Sequence, residues 1–218
     1  MHKRSIRILG TALAALGLVL PLAGSEAAAA PAVDDADFPT VADVAAIYPF
    51  YDGGGRQVVD DPELILVSSD CLHDRVGPTA PSGGYALYWG GDDNPSPLDD
   101  GGAEPRVEIY RFNSLSRAHQ VLGRIRDNVT RCYGRFAAGE RVRVRRGITV
   151  PALGSEPPVA WRTRVQNDPD RDEVPDFNTI DIWVRRGRYL VLVEVARITA
   201  PGKAPAVSLA RAALESIG

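Results

Sequence analysis

Arginine side chains recur at every second position in parts of the second half of the chain, together with one tryptophan. Alternation of polar and apolar residues is typical of a strand with one face on a core, so we expect these side chains to share the polar face of a sheet. Guanidinium groups bind carboxylates and phosphates bidentately, which predicts a site for an anionic glycan or a phosphate-bearing envelope polymer. A solvated face with scattered acidic partners is the alternative. The residues are Arg141, Arg143, Arg145, Arg162, Arg164, Trp183 and Arg185.

The two cysteines of the chain, Cys71 and Cys132, form the next candidate site. In an exported protein an even pair favours a disulfide, and closing such a loop stabilises a fold by roughly 4 kcal/mol. A Cys–His site is the alternative, because Cys71 and His73 would share one face of a strand. Metal ligation is the third interpretation, although two cysteines and one histidine lack the usual ligand spacing.

Motifs for cofactors, metals and catalysis do not stand out in the sequence. The chain has neither a phosphate-binding glycine motif nor a G-x-S-x-G segment. The acidic segment from Asp168 to Asp176 departs from the EF-hand pattern, because its sixth and twelfth positions are Glu173 and Thr179. We therefore predict no cofactor and no metal, and we favour a non-catalytic protein. A secreted hydrolase without a recognisable motif is the second hypothesis.

The N-terminus has the layout of a secretory signal peptide. Basic residues within positions 1–7 precede an apolar run over 8–23, and small residues that fit a cleavage site follow up to residue 32. The run is shorter than the ~20 residues of a membrane span, so we predict cleavage of residues 1–32, a secreted protein and no stable membrane anchor. The net charge of −3 argues against a nucleic-acid partner.

Apolar stripes predict an α+β fold. Residues 33–218 are expected to form one domain, with a mostly antiparallel sheet of about six to seven strands and helices packed mainly on one face. Short helices are predicted near 40–48 and 206–217, and the run over 189–198 is predicted to be a central strand. The clearest helix has apolar residues three and four apart: Leu115, Ala118, Leu122, Ile125, Val129, Cys132 and Phe136.

Three segments resemble the exported sensor-type domains of actinobacteria. They are the central helix from Ser116 to Arg131-Cys132-Tyr-Gly134, the hairpin Trp183-Val-Arg-Arg-Gly187-Arg-Tyr-Leu-Val-Leu-Val, and the closing Leu209-Ala-Arg-Ala-Ala-Leu helix. The chain is similar in these to the extracellular sensor domain of the mycobacterial H-type receptor kinase. It departs from that domain in having cysteines for one disulfide rather than two, and in having Val129 where a tryptophan is usual. The resemblance implies a non-catalytic, sensor-like module for an unknown small-molecule or cell-envelope ligand.

Overall fold

The structure, a computed structural model, describes residues 32–68, 71, 74–76, 80, 82–91, 102–138, 141–166 and 176–217. The predicted signal segment, His73 and most of the acidic segment at 168–176 lie outside these residues. Three α-helices are present in the described part of the chain: α1 Val41–Ala45, α2 Leu115–Arg131 and α3 Lys203–Ser216. The strands are β1 Gly55–Asp60, β2 Ile65–Val67, β3 Asp74–Val76, β4 Ser82–Trp89, β5 Glu104–Arg111, β6 Gly134–Ala138, β7 Arg141–Gly147, β8 Val159–Gln166, β9 Phe177–Arg186 and β10 Tyr189–Arg197.

Eight of these strands form one open antiparallel sheet in the order β1-β4-β5-β10-β9-β8-β7-β6, and β2 pairs with β3 in a separate hairpin. The predicted single α+β domain with an antiparallel sheet is confirmed. The sheet has eight strands rather than the expected six to seven. β1 and β6 were not predicted, because neither shows a clear alternation of polar and apolar residues. β10 lies at the centre, paired with β5 and β9 along its length, as its apolar run predicted.

Helices cover both faces of the sheet. Along β10, Val191 and Val193 pack with α1 and α3 on one side, here called the α3 face. Leu190 and Leu192 pack with α2 on the other side, here called the α2 face. The expectation of helices mainly on one face therefore holds for α1 and α3 but not for the longest helix, because a central strand that is apolar on both sides needs cover on both.

Helix α2 begins and ends where local chemistry dictates. Ser114 caps it, its Oγ accepting a hydrogen bond from the backbone N–H of Arg117 at 3.1 Å. The helix ends at Arg131, and Gly134 adopts a φ of +113°, which favours glycine. The predicted stripe ran on to Phe136, but that residue belongs to β6. Turning the chain at Gly134 sends it into the edge of the sheet.

A disulfide joins Cys71 to Cys132, with Cα atoms 5.4 Å apart, and confirms the predicted pairing over the Cys–His and metal interpretations. It ties the chain between β2 and β3 to the residue that follows α2. The side chain of Asn128 on α2 adds a hydrogen bond to the carbonyl oxygen of Val67 at 2.9 Å. Together β2 and α2 form a roof over the α2 face, and the space beneath this roof is the candidate site.

Candidate functional site

A cavity of about 290 Å³ lies between the α2 face and the roof. Its floor comes from five neighbouring strands, β5, β10, β9, β8 and β7, and its roof from β2 and α2. The roof is apolar, whereas the floor carries both acidic and basic side chains. The lining residues that the argument uses are Ile65, Ile125, Arg106, Glu108, Glu194, Asp181, Trp161, Thr163, Arg143 and Arg145.

Strand register sets the order of charges on this floor. Glu194 on β10 lies directly opposite Arg106 on β5 on one side and Asp181 on β9 on the other. Asp181 lies opposite Trp161 on β8. Since directly opposed side chains on one face have Cβ atoms ~5 Å apart, the row places a cation, two carboxylates and an indole side by side.

A third carboxylate, Glu108, stands one pleat away on β5. The Tyr110 hydroxyl donates to its Oε2 at 2.7 Å, and Arg106 Nε lies 2.9 Å from its Oε1. The Arg106 guanidinium also covers the ring of Tyr85, 4.2 Å from its centroid. Burial raises the pKa of Glu108 despite the attraction of Arg106 and the hydrogen bond from Tyr110.

Glu194 is a second perturbed acid of the floor. Burial, followed by repulsion from Asp181 and Glu108, raises the pKa of Glu194 to about 8, and Arg106 offsets only part of this. Glu194 is therefore mainly protonated at neutral pH. Asp181 accepts a hydrogen bond at Oδ2 from the Thr179 hydroxyl at 2.8 Å, which fixes its carboxylate at the cavity wall.

Two arginines of β7 form the opposite end of the cavity. Register places Arg145 opposite Thr163 and Arg143 opposite Val165 on β8. Arg145 is buried, its Nε donates to Thr163 Oγ1 at 3.3 Å, and its guanidinium lies 5.8 Å from the centroid of the Trp161 ring. A planar guanidinium held by an indole and a threonine has a fixed orientation, which suits recognition of an anionic group.

The predicted arginine face is divided between the two sides of the sheet. Arg143, Arg145, Trp183 and Arg185 share the α2 face, and Arg143, Arg145 and Trp183 line the cavity. By strand register Arg141 belongs to the same face, but its side chain lies outside the described part. Trp183 is only 2% exposed and stacks on Tyr110 with ring centroids 6.3 Å apart, so it is a wall of the cavity rather than an open platform.

Arg162 and Arg164 lie on the α3 face, away from the cavity. Arg162 Nη2 donates to the carbonyl oxygen of Pro201 at 2.9 Å, and Arg164 pairs with Asp176 at 3.5 Å. The prediction placed them with Arg143 because each lies opposite core residues on its own strand. Both faces of this sheet bury apolar residues. An arginine that alternates with core residues can therefore lie on either face.

Arg185 lies outside the cavity and belongs to a separate charged cluster. Its Nε is hydrogen-bonded to Glu156 in the loop before β8, and the same carboxylate contacts His119 Nδ1 on α2 at 3.0 Å. Burial alone would raise the pKa of Glu156, but the hydrogen bonds from Arg185 and His119 outweigh it and hold the pKa below its ordinary value. This cluster anchors the loop to both the sheet and α2.

Three residues that the sequence arguments passed over lie in this half of the floor: Arg106, Glu108 and Glu194. One signal could have found two of them. Glu108 and Glu194 interrupt otherwise apolar segments of the two central strands β5 and β10. A charged residue at a buried strand position is unfavourable unless it is paired or functional, so such interruptions mark candidate sites.

Metal and membrane sites were also sought in the part of the chain that the structure describes. There, no three His, Cys, Asp or Glu side chains come together in a way that could hold a metal ion. No helix within the same residues is long and apolar enough to cross a bilayer. His73 and residues 168–175, which the sequence raised as candidate ligands, are outside that part.

Comparison with known proteins identifies the fold. No family model matches the chain, and no curated protein matches it. The structure is similar to the crystal structure of the extracellular domain of PknH from Mycobacterium tuberculosis, with a TM-score of 0.52 and 11% identity, covering 87% of this chain and 98% of that one. The resemblance expected from the central helix and the β9–β10 hairpin is thus confirmed, and at this identity it concerns the fold.

Proposed function

We propose that the chain is a non-catalytic, extracytoplasmic ligand-binding domain of the sensor type, whose ligand occupies the cavity on the α2 face. The observation that carries the proposal is the cavity itself, a space of about 290 Å³ with an apolar roof and a charged floor. Binding sites for small molecules are typically apolar hollows with a few oriented polar groups. The fold of an extracellular kinase domain supports a sensor role by analogy only, because one fold hosts many functions.

The disulfide supports an extracytoplasmic location. Disulfides persist in oxidising compartments and are rare in the cytosol, and here the bond joins two elements of the roof. An N-terminal export signal at residues 1–32 agrees with this location. Secretion after cleavage of that segment is part of the proposal.

An anionic group on the ligand is the second part of the proposal. Arg143 and Arg145 both line the cavity from one strand, and Arg145 is oriented by Trp161 and Thr163. Bidentate guanidinium contacts favour carboxylates and phosphates. The volume beneath the roof suits a small molecule or the terminal group of an envelope polymer, rather than an extended chain on an open sheet face.

The test is a binding screen on the oxidised protein. We would titrate the domain with C4–C8 mono- and dicarboxylates, sugar acids and sugar phosphates, and follow Trp fluorescence and two-dimensional amide NMR. We expect saturable binding with shifts confined to β2, β5, β7–β10 and α2. An Arg145→Gln variant should bind the selected compound about tenfold more weakly, since a charge-assisted hydrogen bond is worth about 1.5–3 kcal/mol.

Arg164→Gln is the matched control, because Arg164 lies on a β-strand of the same sheet but on the α3 face. We expect it to bind as the unmodified protein does. Equal losses in both variants, or shifts centred on Arg162 and Arg164, would show that the cavity is not the site. Turnover of any ester, peptide or glycoside in a parallel activity panel would contradict the non-catalytic assignment and favour the hydrolase hypothesis.

A further inference from the structure

Three arginines lie in one line along the outer surface of α2. Arg117, Arg124 and Arg131 are exposed and follow one another at intervals of seven residues. An α-helix rises ~1.5 Å per residue, so neighbouring members are about 10 Å apart along the helix axis. Each step of seven residues also turns only about 20° around the axis. The three side chains therefore start from a nearly straight row about 20 Å long, here called the α2 stripe.

The α2 stripe is positively charged and faces away from the cavity, which Ile125 and Val129 of the same helix line. Among the residues that the structure describes, no hydrogen bond or ion pair engages the side chain of any stripe arginine. The single acid of α2, Asp127, is exposed and is not paired with any of them. Four arginines and one aspartate on this helix, in a chain whose net charge is −3, make the stripe a local concentration of positive charge.

Helix stability does not account for the arginine at position 117. Arg117 is the third helical residue after the cap, and its backbone N–H donates to Ser114 Oγ. The helix dipole favours acidic side chains in the first turn, and a capping box has glutamate or glutamine at this position. The first turn of α2 contains no acidic residue. An arginine that opposes the helix dipole points to a role in recognition rather than in folding.

We propose that the α2 stripe binds a linear, phosphate-bearing polymer of the cell envelope, which lies along the helix. A guanidinium group contacts two phosphate oxygens through parallel hydrogen bonds. Because the row is nearly straight, one linear chain reaches all three arginines, and contacts that are weak singly act together on one polymer. The inference uses the extracytoplasmic location in the proposed function, but it is independent of the cavity and its ligand.

An anionic lipid bilayer is the alternative partner, and the surroundings of the stripe argue against it. Helices that bind at a membrane surface bury an apolar face among the lipids, whereas the apolar face of α2 packs inside the domain. Leu115, the exposed leucine of α2, precedes Arg117 by two residues and so lies ~160° around the helix from it. Gln120 and Thr130 on the exposed side of α2 are polar. The stripe therefore offers charge without a group that would insert into lipid.

Binding of labelled inorganic polyphosphate to the oxidised protein, followed by fluorescence anisotropy over a range of salt concentrations, tests the proposal. We expect Arg117→Gln, Arg124→Gln and Arg131→Gln each to weaken binding about three- to fivefold, and the triple variant at least about thirtyfold, at low salt. The slope of log affinity against log salt concentration should fall by nearly one for each arginine removed. Orthophosphate, which reaches one arginine at a time, should compete only weakly. Arg211→Gln, at an exposed position of α3 on the other side of the sheet, is the matched control and should change neither quantity.

Two variants separate recognition from folding. Asp127→Asn should strengthen polyphosphate binding about two- to threefold, because it removes a negative charge beside the stripe. Arg117→Gln should raise the melting temperature while it weakens binding, because glutamine at this position completes the capping box with Ser114 and removes a cation from the first turn. A defect in folding would lower both the melting temperature and the affinity.

The remaining outcomes would overturn the proposal. If the triple variant binds polyphosphate as tightly as the unmodified protein, or if Arg211→Gln loses as much affinity, the stripe is not the site. If polyglutamate of equal length binds as tightly as polyphosphate, the preference for phosphate is wrong. If vesicles of phosphatidylcholine and phosphatidylglycerol bind through the stripe and polyphosphate does not, the partner is a membrane. Cavity ligands should bind the triple variant unchanged, so failure of the stripe and failure of the proposed function are told apart.

Discussion

Replacing Glu194 by glutamine should make the protein more stable, and the gain should depend on pH. Glutamine keeps the shape of the protonated side chain but cannot ionise. In the folded protein, burial and the nearby carboxylates raise the pKa of Glu194 to about 8. In the unfolded chain the same group titrates near ~4.3. Between these two values the unfolded state releases a proton that the folded state retains, so each rise in pH favours unfolding.

The size of the effect follows from the gap between the two pKa values. One pKa unit corresponds to about 1.4 kcal/mol, which gives an upper bound of about 5 kcal/mol at and above pH 8. Glu194 is half-buried and Arg106 is close, so solvent screens part of the cost, and we expect about 2–3 kcal/mol to be measured. Below pH 4 the carboxyl is protonated in both states, and the difference between wild type and variant should vanish.

Urea denaturation followed by circular dichroism at half-unit pH steps from 4.5 to 9 would measure this, with the disulfide kept oxidised. The quantity of interest is the free energy of unfolding of Glu194→Gln minus that of wild type. It should rise steadily with pH and level off above pH 8. Glu215→Gln, at an exposed position of α3, is the control and should show a flat difference near zero. A flat or falling difference for Glu194→Gln would show that Glu194 is not a buried carboxyl with a raised pKa.

Three further predictions concern the framework around the site. The double variant Cys71→Ala/Cys132→Ala should lose up to about 4 kcal/mol of unfolding free energy and bind cavity ligands more weakly. Urea denaturation and calorimetry would measure both, and retention of full affinity would show that the roof holds without the bond. Glu156→Gln should cost about 1–2 kcal/mol at pH 7, because a partly buried ion pair is left incomplete. The pKa of Glu156 is held below its ordinary value, so its stabilisation is present above that value and is lost as the pH falls through the folded pKa. The melting temperatures of the variant and the wild type should therefore approach each other as the pH falls, and a gap that does not narrow in acid would contradict this. Gly154→Ala should destabilise the protein, because a Cβ at this position would clash with the carbonyl oxygen of Arg185. Gly123→Ala on α2 is the matched variant: a Cβ there meets open space, and the change should stabilise the helix by about 0.5–1 kcal/mol. Melting temperatures that move in the same direction for both glycine variants would count against this packing.

Local patterns predicted the elements of this fold well. The apolar stripe predicted α2, and the mainly apolar run over 189–198 predicted the central strand. The disulfide was predicted from the cysteine count together with the predicted export signal. These three predictions depend on neighbouring residues or on composition, and none of them requires knowledge of which strands pair.

The face on which a side chain lies depends on which strands pair and in what register. The prediction of one common arginine face was therefore right for some residues and wrong for others. Arg143 and Arg164 both alternate with core residues, yet the β7–β8 register sets Arg143 opposite Val165 and Arg164 opposite Val144, on different faces. A shift of one residue in register would have exchanged them. The acidic part of the floor was missed for the same reason. Glu194 and Asp181 belong to different strands, and only the β9–β10 register shows that they lie side by side.

The disulfide has a mechanical consequence for the roof of the cavity. The β2–β3 hairpin stands apart from the eight-stranded sheet, and the bond from Cys71 fastens it to the end of α2 at Cys132. A ligand that pushes the hairpin outward must therefore also pull on the helix, and the β6 edge strand begins two residues after the bond. Any outward movement of the hairpin would therefore act on the end of α2 and on the start of β6, which this short covalent path joins to it.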